Sequence, residues 1–189
     1  MLKLLYQTVE DRGNPEVVES SGPFPCKKRP WLTPGFYFWD TSIEWAHWWG
    51  KQGYGGSYII SQYKFEYNHE EIYDLLDPTF LAEFRSYAKI LERDTRDPDI
   101  SVPQVIAHMR EHTSFPYKGV RAEGRFSASY SDNPELNQSM PFVKMKFRRT
   151  RARLDMLPSV QICLFSKESL KGVKGTIVFP EEYINIEGI

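Results

Sequence analysis

The stretch 34-PGFYFWDTSIEWAHWWGKQGYGG-56 holds four of the five tryptophans of this chain. Its first part predicts a short extended segment. The pair Thr41 and Glu44 has capping-box spacing, which predicts a helix that begins at Asp40 or Thr41 and ends at Gly50. A strand followed by a capped helix, both crowded with aromatic rings, is either a packed core or a binding site built from flat rings.

The remainder of the chain predicts an α+β fold rather than a doubly wound one, because the helices are inserted between strands instead of alternating with them. Asp77 and Pro78 predict the start of one helix, and Ser101 with Gln104 predicts the capped start of the next. We therefore expect a single domain over 1–189, with a helical insertion at about 69–113. Strand-like patterns occur in residues 2–6, 57–67, 143–148, 159–165 and 175–180.

Composition excludes several broad classes. The 189 residues carry a net charge of −1, so the whole molecule has no strong preference for a charged partner. No apolar run approaches the roughly 18 residues that cross a bilayer, and the N-terminus is too short for a signal-peptide core. Cys26 and Cys163 fit no metal or redox spacing. We expect a soluble cytoplasmic protein with reduced thiols and no membrane partner.

The order of residues in the opening stretch resembles the NAD-binding core of ADP-ribosyltransferases, in the diphtheria-toxin and poly(ADP-ribose) polymerase group. That group carries a Gly-aromatic-Tyr-Phe-x-Asp segment, which here reads 35-GFYFWD-40. The resemblance implies a split β-sheet core with inserted helices, NAD⁺ as substrate, and NAD-binding roles for Gly35, Phe36 and Tyr37. It also implies that Tyr37 stacks on the nicotinamide ring while Trp48, eleven residues on, covers the other face.

The physical chemistry of nicotinamide agrees with this resemblance. In NAD⁺ the ring is a flat cation, and stacking with cation–π attraction is worth about 1–2 kcal/mol for each desolvated aromatic partner. When the glycosidic bond breaks, the ring leaves as a neutral molecule. The site must therefore also stabilise the cationic ribosyl group that remains.

The first predicted strand, 4-LLYQTVED-11, occupies the place of the Tyr-His-Gly-Thr segment of the family. Tyr6 matches the tyrosine, Gln7 takes the histidine position and Thr8 the glycine position. The resemblance implies that Gln7 bonds a ribose hydroxyl, which an amide can do as donor or acceptor. It implies that the backbone of Thr8 holds the nicotinamide amide.

The strand in 159-SVQICLFSKESL-170 matches the place where the family usually has a catalytic glutamate, and Gln161 stands there. A neutral amide does not offset a developing positive charge as a carboxylate does. Gln161 is therefore expected to orient the ribose by hydrogen bonds. The resemblance includes some bacterial members that carry a Gln before an apolar strand of this kind, so it still implies activity. If a carboxylate is required, Glu168, Asp40 and Glu44 are the alternatives, all ranked below Gln161.

Two basic segments indicate a phosphate-rich partner, either the pyrophosphate of NAD⁺ or a nucleic acid such as RNA or DNA. One is 26-CKKRPW-31, in which Lys28 is the candidate that reaches the pyrophosphate. In the other, six cations occur in ten residues with no acid among them; a solvated charged strand is the alternative interpretation. These candidates for nucleic-acid binding are Lys144, Lys146, Arg148, Arg149, Arg151 and Arg153.

A metal site is not expected. His108 and His112 have i, i+4 spacing on a predicted helix, but the glutamate of the H-E-x-x-H pattern and a third ligand are missing. No P-loop, G-x-S-x-G or G-x-G-x-x-G pattern occurs.

These observations leave three functional hypotheses. The first is an enzyme that transfers one ADP-ribose from NAD⁺ to a macromolecular acceptor, nucleic acid or protein. The resemblance implies a toxin of a toxin–antitoxin or phage-defence system, with an antitoxin protein as partner. The second is a catalytically inactive NAD-binding or nucleotide-binding module on the same scaffold. The third is an RNA-binding protein that stacks bases on the aromatic segment and holds phosphates with the 144–153 cations.

Overall fold

The computed structural model of the chain describes residues 1–26, 30–124 and 154–184, together with the backbone of 144–146 and 153. The strands are β1 (Leu2–Glu10), β2 (Phe36–Asp40), β3 (Tyr58–Glu66), β4 (Ile72–Asp74), β5 (Gly119–Glu123), β6 (Lys144–Lys146), β7 (Arg153–Asp155), β8 (Val160–Leu164) and β9 (Thr176–Phe179). The helices are α1 (Pro15–Ser21), α2 (Ile43–Tyr54), α3 (Pro78–Thr95) and α4 (Val102–His112), with 3₁₀ turns at Lys167–Leu170 and Glu181–Tyr183.

Seven strands form one mixed sheet in the order β4-β5-β8-β2-β1-β3-β9. The neighbours pair antiparallel except β4 and β5, which are parallel. The two helices α3 and α4 connect these parallel strands, as a crossover requires. Strands β6 and β7 pair separately. The expected α+β class is confirmed, with the helices inserted between strands.

The centre of the sheet aligns residues from four distant parts of the chain. In the register of β1, β2, β8 and β5, Tyr6 lies opposite Trp39, Trp39 opposite Gln161, and Gln161 opposite Ala122. Since cross-strand partners point to the same face of a sheet, these four side chains form one row. Helix α2 packs over the β1 and β2 side of this face, where Trp45 joins Tyr6 and Trp39 in a buried cluster.

Helix α2 differs from its prediction at both ends. Ser42 is the N-cap, because Thr41 takes a left-handed conformation with φ of 66° and its hydroxyl donates to Asp40. The helix continues through Gly50 and ends at Gly55, which has φ of 61°. Gly50 is retained inside the helix for packing, because a Cβ there would overlap the ring of Tyr58.

The other helices agree with the sequence more closely. The carboxylate of Asp77 accepts a hydrogen bond from the Thr79 amide at the start of α3. The capping box of Ser101 and Gln104 is present at the start of α4. Helix α1 was not predicted, since its residues lead into a Pro- and Gly-rich segment. Among the residues described, no helix has both the length and the apolar character of a membrane span.

Candidate functional site

A cavity of about 480 Å³ opens on the face of the sheet that carries the Tyr6–Trp39–Gln161 row. The middle of β1, the strand β2 and the start of β8 form its floor, and α2 supplies rings from one side. The segment before β2 supplies Trp31 from the other side. Its described lining residues are Tyr6, Gln7, Thr8, Val9, Phe24, Pro25, Cys26, Pro30, Trp31, Tyr37, Phe38, Trp39, Trp49, Tyr54 and Gln161.

Gln161 lies on β8 between Trp39 and Ala122 of the neighbouring strands. Its carboxamide oxygen Oε1 accepts a hydrogen bond from Nε1 of Trp31 at 2.7 Å. The structure therefore brings Gln161 into the same cavity as Tyr6, Gln7, Thr8 and Tyr37, as the sequence predicts. Trp31 is a neighbour that sequence reasoning missed, although it ends the basic segment noted above.

Tyr37 lines the cavity with its ring, and its hydroxyl anchors the chain that precedes β2. Tyr37 Oη accepts from the amides of Leu32 and Thr33, both at 3.0 Å, and donates to the carbonyl of Thr33 at 2.7 Å. Burial is the main cause that raises its pKa, so the phenol is neutral. The ring is thus fixed at both ends, by the β2 backbone and by this loop.

Gln7 and Thr8 line the cavity, but their side chains form hydrogen bonds with the backbone of the protein itself. Gln7 donates to the carbonyls of Phe24 and Tyr37 at 2.9 and 3.3 Å, and accepts from the Phe24 amide at 2.7 Å. The Thr8 hydroxyl donates to the carbonyl of Ala46 in α2 at 2.9 Å. Both residues are over 90% buried. They fix the cavity walls, and the predicted hydrogen bond from Gln7 to a ribose lacks a free donor.

Helix α2 supplies Trp49 to the cavity in place of the predicted Trp48. Trp45 and Trp48, three residues apart, face the sheet together and lie 5.8 Å apart between ring centroids. Successive side chains on a helix are rotated by about 100° about its axis, so Trp49 points in a different direction from Trp48. Trp49 is 39% exposed, whereas Trp48 is 8% exposed and does not line the cavity. Tyr54, at the end of α2, is a further lining ring.

Gly35 and Phe36 support the cavity from outside its lining. A Cβ at Gly35 would lie 2.5 Å from the carbonyl oxygen of Leu164 and 2.7 Å from Sγ of Cys163. Only glycine fits this approach of β2 to β8. Phe36 packs against the cluster around Leu5 on the other face of the sheet. Neither Gly35 nor Phe36 is among the described lining residues of the cavity.

Several predicted residues fall outside what the structure describes. Lys28 lies between Cys26 and Pro30, both of which line the cavity, but is itself not described. Arg148, Arg149 and Arg151 are likewise outside the described ranges. The backbones of Lys144, Lys146 and Arg153 belong to the antiparallel pair of β6 and β7. The predicted nucleic-acid surface therefore stays a prediction.

None of the three alternative carboxylates is among the described lining residues of the cavity. Asp40 forms ion pairs with Lys3 at 2.8 Å and Arg121 at 2.7 Å, and its side chain is 2% exposed. Burial raises its pKa, but hydrogen bonds from these cations and from Thr41 outweigh that effect and leave the pKa below its ordinary value. Glu44 accepts from Ser42, and Glu168 is exposed on a 3₁₀ turn. The described lining of the cavity contains no carboxylate.

No group of three or more metal-ligating side chains occurs within the part of the chain that the structure describes. His108 and His112 stack on each other with ring centroids 4.4 Å apart, and Nδ1 of His112 lies 3.0 Å from the His108 carbonyl oxygen. This pair packs on the surface of α4 rather than beside the cavity.

The described cavity is lined by neutral groups, mostly aromatic, with two carboxamides: that of Gln7, which is bonded to the Phe24 and Tyr37 backbone, and that of Gln161 beside the aromatic row. Burial, assisted by the nearby Glu44 carboxylate, raises the pKa of Tyr6, so this phenol also stays uncharged. Such a surface binds a flat ring, and its π faces favour a cationic one. Comparison with models of known families, with curated proteins and with solved structures finds no match for this chain.

Proposed function

We propose that the chain binds NAD⁺ in the aromatic cavity and transfers its ADP-ribose group to a macromolecular acceptor. The observation that carries this proposal is the row of Tyr6, Trp39 and Gln161 across three adjacent strands. The resemblance drawn from the sequence requires the end of the first strand, the Gly-aromatic-Tyr segment and the late strand to meet at one site. Their side-by-side pairing in β1, β2 and β8, with Tyr37 lining the same cavity, supports that requirement.

The character of the cavity also supports a nicotinamide cation as the bound ring. Its volume of about 480 Å³ lies within the range of small-molecule sites. Tyr37 and Trp49 offer π faces, which attract a pyridinium ring. In this proposal Trp49 takes the role that the sequence assigned to Trp48. The attraction is lost when the ring leaves as neutral nicotinamide, so product release is favoured.

The proposed reaction is dissociative. The bond between C1′ of the ribose and the ring nitrogen breaks, and its electron pair stays with nicotinamide. A nucleophile of the acceptor then attacks C1′ and loses a proton to solvent. Gln161 holds the ribose by a hydrogen bond, and the walls fixed by Gln7 and Thr8 keep the reacting bond in place. Catalysis on this account comes chiefly from positioning, since the described lining has no carboxylate to stabilise the ribosyl cation.

The nature of the acceptor rests on the basic segment at 144–153, which favours a nucleic acid over a protein. A toxin of a toxin–antitoxin or phage-defence system, acting in the cytoplasm and restrained by an antitoxin, is the biological role that we propose with it.

The neutral lining favours a second candidate, a nucleotide-binding module without transferase activity. Gln161 occupies the place of a catalytic glutamate, and the amide of Gln7 is engaged by the Phe24 and Tyr37 backbone. A site of this kind retains ring binding and loses the charge stabilisation that speeds bond cleavage.

The test uses NAD⁺ labelled in its adenylate phosphate, incubated with the purified chain and a cell lysate. Label that enters nuclease-sensitive or protease-sensitive material supports transfer and identifies the acceptor class. NAD⁺ binding by calorimetry without transfer supports the binding module. Binding of a single-stranded RNA oligonucleotide, with neither NAD⁺ binding nor transfer of label, would favour the RNA-binding hypothesis and overturn both candidates.

A pair of glutamine variants controls this experiment. Gln161→Ala is expected to abolish transfer, since it removes the hydrogen bond to the ribose. Gln52→Ala changes an exposed glutamine on α2 that does not line the cavity, and should leave transfer at the wild-type rate. Transfer at the wild-type rate by Gln161→Ala would show that Gln161 does not belong to the site of the reaction.

A further inference from the structure

The hydrogen bond between Trp31 and Gln161 determines which end of the Gln161 carboxamide is available to a ligand. An indole nitrogen carries a proton and only donates, so the atom 2.7 Å from Trp31 Nε1 must be the acceptor, Oε1. The orientation of a glutamine amide is otherwise assigned from its surroundings, and here a donor-only neighbour assigns it. With Oε1 turned to Trp31, the NH₂ group is the end left over, and within the described residues it has no hydrogen-bond partner.

Trp31 itself is held in place by the loop that Tyr37 anchors. The amides of Leu32 and Thr33, the next two residues, both donate to Tyr37 Oη at 3.0 Å. Leu32 is fully buried in the cluster under α4. The indole therefore approaches Gln161 from a fixed backbone, and a chain of contacts runs from the Tyr37 hydroxyl through the loop to the carboxamide.

We infer that Trp31 is a positioning residue that locks Gln161 so that the cavity receives N–H donors and no free carboxamide oxygen. The ligand group recognised at this point is then a hydrogen-bond acceptor, such as the oxygen of a ribose hydroxyl or of a carboxamide. This inference rests on the proposed function where it names a ribose. It differs from the role of an ionised glutamate at the same place, which accepts a hydrogen bond from a ribose hydroxyl instead of donating one.

A double-mutant cycle on NAD⁺ affinity tests the coupling. Trp31→Phe keeps an aromatic ring but removes the donor, so Gln161 rotates freely and affinity falls by about tenfold, the usual effect of one hydrogen bond. In the Gln161→Ala background the same change should matter less than twofold, because nothing remains to be positioned. Equal losses in both backgrounds would overturn the inference, since they indicate that Trp31 acts by packing alone.

Trp45→Phe is the matched control. Trp45 also donates its indole N–H to a carbonyl, that of Leu157 at 3.1 Å, but it does not line the cavity. This variant loses one indole hydrogen bond of the same kind. Because Trp45 packs against Tyr6 and Trp39, which line the cavity, the control is read from its coupling: any loss of NAD⁺ affinity caused by Trp45→Phe should be the same in the wild-type and Gln161→Ala backgrounds.

A measurement without any ligand separates this inference from the proposed function. The indole N–H resonance of Trp31 should move upfield and exchange faster with solvent in Gln161→Leu, which keeps the bulk and removes the acceptor. An unchanged resonance overturns the inference whether or not NAD⁺ binds. A shifted resonance in a chain that does not bind NAD⁺ supports the locked orientation and overturns the proposed function instead.

Discussion

Gln7 pairs with the backbone of Phe24 as though it were another strand residue. Its Nε2 donates to the Phe24 carbonyl at 2.9 Å, and its Oε1 accepts from the Phe24 amide at 2.7 Å. A single side chain thus satisfies both backbone groups of a residue that belongs to no strand or helix. This pair holds the segment before Cys26 against the end of β1 and so forms one wall of the cavity.

Replacing Gln7 with Leu removes the partner of both backbone groups of Phe24, which are partly buried. The expected loss is about 1–3 kcal/mol for each unsatisfied group in the free energy of unfolding. Urea denaturation followed by circular dichroism measures this quantity. Gln52→Leu, on the exposed side of α2, should change stability little. Equal stability of the Gln7 variant and the wild type would contradict a structural role for the pair.

Replacing Gly35 with Ala should damage the junction of β2 and β8. The added methyl group would lie 2.5 Å from the Leu164 carbonyl oxygen, which belongs to the paired backbone and cannot turn away. Overpacking of this kind costs about 1–3 kcal/mol. In Gly53→Ala the new methyl meets only the Trp49 ring, at 3.2 Å, and helix propensity favours alanine. Thermal unfolding should therefore separate the two variants, with a lower Tm for the Gly35 variant alone.

The neighbouring tryptophans Trp48 and Trp49 should respond differently to alanine. Trp48→Ala removes a buried ring that packs on Trp45 and is expected to lower the free energy of unfolding by about 3–5 kcal/mol. Trp49→Ala removes a 39% exposed ring that lines the cavity, so stability changes little while NAD⁺ affinity falls. Urea denaturation of both variants measures the free energy of unfolding, and calorimetry measures their NAD⁺ affinity. A loss of affinity confined to Trp48→Ala would return the ring-binding role to Trp48.

The Asp40 network should give the protein an acid-sensitive stability. The folded pKa of Asp40 lies below its ordinary value of 3.8, so the unfolded chain binds the proton more readily than the folded one. Its contribution is complete above the unfolded pKa and is lost as the pH falls through the folded pKa. Asp40→Asn breaks the buried pairs with Lys3 and Arg121 at a cost of about 3–5 kcal/mol near neutral pH.

The check is a series of urea denaturations from neutral pH downward. The difference in unfolding free energy between the wild type and Asp40→Asn should shrink as the pH drops below about 4. Asp94→Asn, which removes an exposed ion pair with Arg93, should be close to the wild type at every pH. A difference that stays constant into acid would show that the charge of Asp40 is not what stabilises the fold.

A glutamate at position 161 should speed transfer. Trp31 can still donate to one carboxylate oxygen, and the negative charge stabilises the ribosyl cation that forms as nicotinamide leaves. Restoring one preorganised electrostatic group is worth on the order of 10²-fold in kcat. Single-turnover kinetics with labelled NAD⁺ measures the rate, and Gln52→Glu adds the same charge outside the cavity. An unchanged single-turnover rate would contradict the electrostatic effect predicted for a charge at this position.

Strands β3 and β8 of the central sheet were predictable because their patterns are local, whereas no individual pattern indicated the short strands β4 and β5, and β4 lies inside the expected helical insertion. The alternating apolar residues of β3 and the apolar run of β8 were read at nearly the observed bounds. The capping box at Ser101 likewise identified the start of α4. The end of α2 was not predictable in this way, because Gly50 is present to admit the Tyr58 ring, and that contact is tertiary.

The sequence indicated the strands of the candidate site better than its rings. Tyr37 and Gln161 were assigned to one site through the resemblance to the family, and the structure places them on the adjacent strands β2 and β8. The choice between Trp48 and Trp49 depends on the rotation of α2 about its axis, and an error of one residue turns a side chain by about 100°. Trp31 lies in a loop, where no periodicity indicates direction, and only the fold brings it to Gln161.

The position of β8 has a consequence for the moment during synthesis at which the cavity is complete. This strand inserts between β5 and β2, although more than half of the chain separates it from β2. At about 5–20 residues per second, a ribosome therefore presents the aromatic half of the cleft for several seconds before Gln161 emerges. A nascent polypeptide that is cut short in that interval carries the aromatic residues of the cavity but lacks Gln161.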